Sequence, residues 1–325
     1  MKQATLRYLS RADVEACALS MQEILTLVEA AFAARGKDQV EMPPKPGIHP
    51  LPDAFIHAMP AYLPRMEAVG LKWVSGFPEN LGKGFPYLSG LLILNDPETG
   101  LPLAVMECAW LTAERTGAAT AVAARYLAHP DSHTLAILGC GYQGKAHVAA
   151  LRLVLPELRR VQVYEPDPQR RETFRQAMET KHGLEAVAYD SPRKALAGAQ
   201  VAVTAGPIHR NPTPFIAAEW LEEGGFACAL DYDSAWKSET FNAVDKLCAD
   251  DSCQFAHTRQ NGFFRKAPDL YADLGEIVAG KKPGRENASE RILMASLGVA
   301  IEDIAVATRI YQVALRRGIG RDLPL

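Results

Sequence analysis

A glycine-rich loop and an acidic residue form the clearest chemical pattern in the sequence. The segment TLAILGCGYQGKAHVAAL carries G-x-G-x-x-G at Gly139, Gly141 and Gly144, between a predicted strand and a predicted helix. The first glycine permits a tight turn, the second lets a pyrophosphate approach the backbone, and the third lets helix and strand pack closely. Glu165 ends the next predicted strand, about 20 residues after the loop. The pattern predicts a dinucleotide cradle; the alternative is an ordinary glycine turn of another α/β domain.

Glu165 also indicates which dinucleotide the loop takes. A carboxylate at this position binds both ribose hydroxyls of NAD and repels the 2′-phosphate of NADP. Arg170 and Arg171 follow closely and leave NADP open, although a solvated helix face also explains both arginines. We therefore predict NAD as the cofactor, with NADP as the alternative. Tyr142 and Gln143, inside the loop, are further cofactor-binding candidates.

Two basic residues lie at positions where a basic side chain does not stabilise the predicted strand or helix. In AVGLKWVSGF the alternation of a strand points Lys72 away from the apolar face, so it is either a solvated edge residue or a functional cation. Arg115 falls in the first turn of a helix predicted to begin near Thr112, where the helix dipole favours an acid. Its planar guanidinium suits a carboxylate ligand, and an interdomain salt bridge is the alternative.

Two carboxylates follow another predicted strand. The segment FACALDYDSAW runs from apolar residues directly into Asp231 and Asp233. At the carboxyl end of a parallel strand these side chains would project into the crevice where ligands bind. Such a carboxylate can carry a proton during catalysis, and capping of the loop is the alternative reading. We expect both Asp231 and Asp233 to lie where substrate binds and one of the two to carry a proton.

The predicted elements change character along the chain. SMQEILTLVEAAFAARG predicts a helix with Ser20 and Glu23 as a capping box, and the apolar runs that follow predict a mostly antiparallel sheet. From Thr134, short apolar strands alternate with helices, including one helix before FACALD, which indicates a parallel sheet covered on both faces. A long amphipathic helical stretch from about residue 289 to 317 is expected to return to the first part of the chain.

The composition excludes several classes of protein. The chain has 325 residues, of which 48% are hydrophobic and 22% charged, and a formal net charge of −3, so no basic surface for nucleic acid is indicated. No apolar run reaches the roughly 18 residues of a membrane-spanning helix. The charged N-terminus lacks the apolar core of a signal peptide, so we expect a cytoplasmic protein with no membrane partner. The cysteines and histidines have no ligand spacing, and no metal is predicted.

Several blocks in order resemble the ornithine cyclodeaminase/mu-crystallin family over nearly the whole chain. The most specific is GLKWVSGFPENLGKGFPYLSGLLILNDPETGLPLAVMECAWLTAERTGAATAVAARYLA, and GCGYQG, LGEIVAGKKPGR and SLGVAIEDIAVATRIYQVA are also similar to family motifs. The resemblance implies an α/β protein in which a Rossmann domain, residues 130–299, joins an α+β substrate and dimerisation domain. That second domain is built from both chain ends, residues 1–129 and 300–325, and a homodimer is expected.

The resemblance also assigns roles to residues at matching positions. Lys72 and Arg115 match positions that hold a substrate carboxylate, and Lys72 is in addition a catalytic candidate. Asp233 matches an acidic residue that acts in proton transfer. Thr204 and Leu230 fall at positions that line the cofactor.

Three departures from the family pattern concern the substrate more than the reaction. The loop MPPKPG places Lys45 where many members have a carboxylate-binding arginine, so Lys45 would substitute without the bidentate fork. Tyr87 replaces a threonine common near the cofactor. The loop LDYDSAW is bulkier and more acidic than the glycine-rich loop of the family.

The resemblance implies hydride transfer between NAD(P) and the Cα of a small amino or imino acid. One hypothesis is a net redox enzyme, an amino-acid dehydrogenase or the reverse imine reductase. A second is a redox-neutral cyclodeaminase that turns ornithine or lysine into a cyclic amino acid and releases ammonia. A third, a non-catalytic binding protein like some mu-crystallins, fits less well with retention of Lys72, Arg115 and Asp233.

Overall fold

Both ends of the chain build one structural unit, and the middle of the chain builds another. The computed structural model describes residues 5–325. The first unit consists of the chain up to Arg115 together with Val299–Leu325, and the second unit is Thr116–Gly298. This arrangement confirms the predicted α/β class, with a Rossmann-like part and a part drawn from both termini. The domain boundaries predicted from the sequence, at residues 129/130 and 299/300, stay predictions.

The helices and strands are joined by loops, the longer of which include residues 205–217 and 279–291 in the second unit. In chain order they are β1 (Thr5–Leu9), α1 (Arg11–Ala16), α2 (Met21–Gly36), β2 (Gly47–Ile48), β3 (Phe55–Leu63), β4 (Ala68–Gly76), β5 (Leu88–Asn95), β6 (Pro102–Glu107), α3 (Ala109–Leu127), β7 (Thr134–Leu138), α4 (Tyr142–Val154), β8 (Arg160–Tyr164), α5 (Pro168–His182), β9 (Glu185–Tyr189), α6 (Pro192–Leu196), β10 (Val201–Thr204), β11 (Phe226–Ala229), α7 (Ser238–Ala243), β12 (Lys246–Ala249), α8 (Ser252–Gln260), β13 (Ala272–Asp273), α9 (Leu274–Val278), β14 (Ile292–Ala295), α10 (Ala300–Arg317) and β15 (Arg321–Pro324).

The first unit is a mostly antiparallel sheet with one face covered by helices. Its strand order is β15-β1-β6-β5-β4-β3-β2, and β1 pairs with β6 in parallel while the other neighbours are antiparallel. Helix α10 packs on β3, β4 and β5 and against α2. On the covered face Met59, Lys72 and Leu92 lie side by side in register, and all three are buried. The strand alternation predicted for Lys72 is therefore correct, and its side chain points into the core.

The second unit is an eight-stranded parallel sheet. Its order, β13-β12-β14-β11-β10-β7-β8-β9, shows that the chain proceeds from β7 to one side and then resumes on the other side with β10. The carboxyl ends of β7 and β10 thus mark the topological switch point, where ligands bind in open parallel sheets. The glycine loop follows β7, and Asp231 and Asp233 follow β11, the strand next to β10.

Several element predictions require correction. The stretch 289–317 is not one helix: Ile292–Ala295 forms a fully buried central strand, and the helix begins at Ala300. A four-residue apolar run fits either structure, and parallel neighbours on both sides decide for the strand. Before FACALD there is only the single 3₁₀ turn Ala218–Trp220 where a helix was expected.

Helix starts in the first unit also differ in detail. Helix α3 begins at Ala109, because the Glu107 carboxylate accepts the Ala109 N–H at 2.8 Å, so Arg115 lies in the second turn and not the first. The Ser20 hydroxyl accepts the Glu23 N–H as predicted, but the Glu23 carboxylate accepts a hydrogen bond from Arg309 at 2.6 Å instead of closing a capping box.

Within residues 5–325, none of the helices combines the length and the apolar character needed to cross a bilayer.

Candidate active site

The glycine loop has the geometry of a phosphate cradle. Gly139 has φ 114°, and a Cβ there would lie 2.6 Å from the carbonyl oxygen of Ala205, in the loop after β10. A Cβ on Gly144 would lie 2.5 Å from the carbonyl oxygen of Gly139, so these two glycines are required by the fold. A Cβ on Gly141 would meet no heavy atom within 4 Å. Gly141 thus keeps open space at the N-terminus of α4, which no side chain caps and whose N–H groups attract anions.

Glu165 lies beside this loop, directly after β8. Its Oε2 accepts the backbone N–H of Cys140 at 3.0 Å, and the side chain is mostly buried. Arg170 Nη2 lies 3.8 Å from the same Oε2, and Arg171 donates to the main-chain carbonyl of Glu165 at 2.9 Å. Both arginines are therefore held by Glu165, whose negative charge opposes a 2′-phosphate. The loop, the helix N-terminus and Glu165 together fit a dinucleotide with an unphosphorylated ribose.

A buried hydrogen-bond chain links the ends of β10 and β11. Trp236 Nε1 donates to the hydroxyl of Thr204 at 2.9 Å, and that hydroxyl donates to Asp231 Oδ1 at 2.6 Å. A threonine hydroxyl has one proton, so accepting from Trp236 directs that proton to Asp231. Burial raises the pKa of Asp231 to about 7, with the charge of Asp233 adding to the shift and the Thr204 hydrogen bond opposing it.

Asp233 lies two residues further along the same loop and is less buried. Its Oδ2 accepts the backbone N–H of Phe264 at 2.8 Å. Its Oδ1 is shielded from solvent and has no hydrogen-bond partner among residues 5–325. Burial raises the pKa of Asp233, while the Phe264 N–H and the charge of Arg265 oppose the rise. A carboxyl group with one oxygen anchored and the other unpaired is suited to proton exchange.

The first unit gathers four charged side chains in its core. Asp303 Oδ1, on α10, accepts from Lys72 Nζ at 2.7 Å and from Arg115 Nε at 2.8 Å. Glu302 Oε2 accepts from Arg115 Nη1 at 2.7 Å, while its Oε1 accepts the Val299 N–H. Thr112 Oγ1 lies 3.5 Å from Lys72 Nζ. We call Lys72, Arg115, Glu302 and Asp303 the four-charge cluster.

Burial changes the protonation of the four-charge cluster. Burial, together with the positive charge of Arg115, lowers the pKa of Lys72 to about 8, although Asp303 opposes the shift. Burial likewise raises the pKa of Glu302, and Arg115 opposes that rise. The solvated edge lysine considered for the sequence does not describe Lys72, which is buried. Lys72 and Arg115 both contact acids of their own unit.

The remaining predicted site residues occupy scattered positions. Lys45 is buried in the loop before β2, and Tyr87 is half-buried just before β5. Tyr142 is 63% exposed at the start of α4, and Leu230 donates its N–H to the carbonyl of Thr204 at 3.0 Å. The main-chain carbonyl of Gln143 accepts from His147 Nδ1 at 2.7 Å. The ligand-binding roles assigned to these residues stay predictions.

A model of the ornithine cyclodeaminase/mu-crystallin family matches residues 6–318. The chain belongs to this family. The resemblance found in the sequence motifs is thereby confirmed across both units.

Two kinds of relative are especially similar to this member of the family. The alanine dehydrogenase of Archaeoglobus fulgidus is 36% identical over 320 residues, which cover 96% of each chain. The structure of Thermococcus litoralis Δ1-pyrroline-2-carboxylate reductase in complex with NADH and L-proline is 34% identical, with TM-score 0.89, and the match covers 98% of this chain and 100% of that one. An archaeal alanine dehydrogenase dimer with bound NAD is 34% identical with TM-score 0.87, over 98% and 99% of the two chains.

Sequence reasoning missed two residues of the four-charge cluster. Glu302 and Asp303 lie in the block SLGVAIEDIAVATRIYQVA, which resembles a family signature. Two adjacent acids within an apolar helical stripe were an available signal, because such acids are rarely fully buried unless paired. Their partners, Lys72 and Arg115, are too distant in sequence to be deduced from spacing.

Proposed function

We propose that this protein catalyses NAD-dependent hydride transfer at the Cα of a small amino or imino acid, as a dehydrogenase or imine reductase. The observation that carries the proposal is the meeting of Lys72 and Arg115 in one buried cluster, in a chain that also holds a complete dinucleotide loop with Glu165. The similarity to an alanine dehydrogenase and to a Δ1-pyrroline-2-carboxylate reductase supports the same chemistry.

NAD is the cofactor, and it supplies the hydride acceptor when bound. Gly141 leaves room for the pyrophosphate beside the N-terminus of α4, and Gly139 and Gly144 hold the turn. Glu165 would hold the adenosine ribose, and Tyr142, Gln143, Thr204, Leu230 and Tyr87 stay cofactor-binding candidates.

Lys72 and Arg115 would hold the substrate carboxylate. An ammonium has three donors, of which Asp303 and Thr112 account for two, so within residues 5–325 one donor of Lys72 remains for a ligand. The acids of the four-charge cluster keep both cations in place and offset part of their charge. Lys45 would contribute a further positive charge.

Asp233 would exchange a proton with the substrate nitrogen. Its Oδ1 has no partner in the described chain, whereas the Thr204 hydroxyl engages Asp231 Oδ1. We therefore assign proton transfer to Asp233 and a polar substrate contact to Asp231. During oxidation of an amino acid, the carboxylate of Asp233 accepts the proton. Asp233 must therefore be deprotonated before turnover.

A redox-neutral cyclodeaminase is the second candidate, because Asp231 and Asp233 place two carboxyl groups in one loop that would suit a terminal ammonium. The deciding experiment incubates the enzyme with alanine, proline, ornithine or lysine at sub-stoichiometric NAD. With alanine, we expect NADH and ammonia in equal amounts. Ammonia released from ornithine or lysine far beyond the NADH formed would replace our assignment with cyclodeamination. Absence of both products with every substrate would contradict the proposal as a whole.

We also propose that the protein is a homodimer that pairs through the outer face of the first sheet. Trp73 and Leu91 are neighbours in register on that face, and 46% and 44% of their surfaces are exposed. Exposed apolar patches of this kind are typical of interfaces, and the similar archaeal alanine dehydrogenase is a dimer. Trp73→Glu should give a monomer in light scattering, whereas Leu153→Glu, at an equally exposed position of α4, should not. The cytoplasmic location expected from the sequence stays a prediction.

A further inference from the structure

Backbone strain in the second unit is concentrated around Asp233. Residues 116–298 are all described, and their non-glycine residues with positive φ are Tyr232, at 59°, and Phe264, at 49°. Aromatic residues adopt this left-handed conformation rarely, and it persists only where the surrounding structure enforces it. Tyr232 precedes Asp233 in the chain, and Phe264 donates its N–H to Asp233 Oδ2. The two strained residues therefore converge on one carboxylate.

An aromatic cluster, which we call the clamp, holds both strained residues in place. The Tyr232 and Phe264 rings are buried, and their centroids lie 5.8 Å apart. Tyr232 also meets Phe263 edge-on at 5.2 Å. On its other sides, Phe264 packs against Phe255 of α8 at 5.1 Å and edge-on against Phe241 of α7 at 5.5 Å. These tilted and edge-on contacts are favourable for aromatic rings, so they oppose relaxation of the two backbones.

The strained loops fix the orientation of the Asp233 carboxyl group. Rotation of the side chain would break the 2.8 Å hydrogen bond from Phe264, which lies on a different loop. With Oδ2 engaged, Oδ1 is the oxygen without a partner in the described chain. The cluster thus decides which oxygen is presented for proton exchange.

We propose that Tyr232 and Phe264 are positioning residues that hold Asp233 with Oδ2 hydrogen-bonded and Oδ1 presented to the substrate nitrogen. The proposal rests on the proposed function, in which Asp233 exchanges a proton with the substrate. It also explains the bulky loop LDYDSAW and the segment NGFFRK, which supplies two of the four phenylalanines of the clamp.

The proposal predicts a change in the acidity of Asp233. The Phe264 N–H stabilises the carboxylate form, so loss of this hydrogen bond raises the pKa of Asp233. The charged groups that act on the Asp231–Asp233 loop are Asp231 itself, Arg265 and His209. None of the three is changed by substitution at Tyr232 or Phe264.

The test follows the Asp233 carboxyl carbon by NMR titration of the full-length protein with ¹³C-labelled aspartate, and Asp233→Asn assigns the signal. In Tyr232→Ala, which removes the ring that holds the backbone but keeps a Cβ that disfavours a positive φ, the midpoint should rise by about 0.5–1 pH unit, because the lost N–H favoured the charged carboxylate. In amino-acid oxidation kcat should fall about tenfold while KM for NAD is unchanged. Phe264→Ala should shift the midpoint in the same direction.

Two controls separate positioning from general loss of stability. Tyr232→Phe keeps the ring and should titrate like the wild type, and Leu221→Ala removes a buried side chain of the same unit outside the clamp and should lower only Tm. If either alanine variant does not fold, Phe264→Leu takes its place. A wild-type midpoint in every folded clamp variant overturns the proposal. Since the titration needs no turnover, failure of the enzyme to oxidise any amino acid would refute the proposed function separately.

Discussion

The carboxylate of Asp303 lies 2.7 Å from the ammonium of Lys72, and neither side chain is exposed. The two residues are 231 positions apart, on α10 and β4. Asp303 also accepts from Arg115, so one carboxylate links both cations proposed to bind substrate. Removing one member of a buried ion pair leaves its partner uncompensated in a medium of low polarity. Asp303 therefore contributes both to the stability of the first unit and to the charge of Lys72.

Asp303→Asn should damage stability and substrate binding together. We expect the free energy of unfolding to fall by about 3–5 kcal/mol. Asp303 raises the pKa of Lys72, so its loss should lower that pKa further below about 8 and raise KM for the amino acid at pH 8. Denaturant unfolding and steady-state kinetics test both effects. The control is Asp322→Asn, which breaks the exposed ion pair with Arg7 and should change neither the free energy of unfolding nor KM. If Asp303→Asn also left both quantities unchanged, the role of the four-charge cluster would be contradicted.

The pKa of Lys72 predicts a pH dependence of its own. Only the protonated ammonium attracts a carboxylate, so substrate capture should weaken as pH rises through about 8. The profile of kcat/KM reports groups of the free enzyme and substrate, so it should show this loss. In Lys72→Arg the side chain stays charged over the same range, so the fall in kcat/KM at about pH 8 should be absent. Its activity should be lower, because a planar guanidinium replaces the compact ammonium. The amine of the substrate titrates equally in both enzymes; identical profiles would remove Lys72 from substrate binding.

Strand alternation predicted that Lys72 lies on the face opposite Val69, Leu71 and Trp73, but it did not predict that the Lys72 face is the buried one, nor which residues Lys72 contacts. Period-two alternation is local, so one stretch of sequence places Lys72 opposite its apolar neighbours. The contact with Asp303 depends on how α10 packs across the sheet, which no local pattern encodes. Likewise, the run ILMA is compatible with helix or strand until the strands on both sides of it are known.

The cofactor loop was the most predictable part of the site, because its requirements are local. A tight turn, an open approach and a close helix–strand contact each need glycine at a fixed spacing, and the structure has all three. The clamp around Asp233 was not predictable, since it joins residues from separate loops through positive φ angles and aromatic packing. The sequence showed only that the loop was unusually bulky.

The glycines of the loop should respond differently to alanine. Gly139→Ala places a Cβ against the Ala205 carbonyl at a φ of 114°, so we expect a marked fall in Tm. Gly141→Ala meets no protein atom and should fold with a Tm close to that of the wild type, yet weaken NAD binding because the methyl group fills the space for the pyrophosphate. Thermal unfolding without ligand and NAD titration separate the two effects. Normal NAD affinity in Gly141→Ala would place the pyrophosphate elsewhere.

Glu165 should set the preference for NAD over NADP. Glu165→Ala removes the carboxylate that is proposed to hold the ribose, and it releases Arg170 from its ion pair with Glu165. We expect the Kd for NAD to rise by about 10–100-fold, which corresponds to the loss of hydrogen bonds to a charged group. NADP should lose little or gain, because the repulsion of its phosphate disappears and Arg170 becomes available. Glu172→Ala, in the same unit but paired with Arg175 on the surface of α5, should leave both affinities unchanged. Equal weakening of NAD and NADP would show that Glu165 only supports the loop through Cys140 and does not read the ribose.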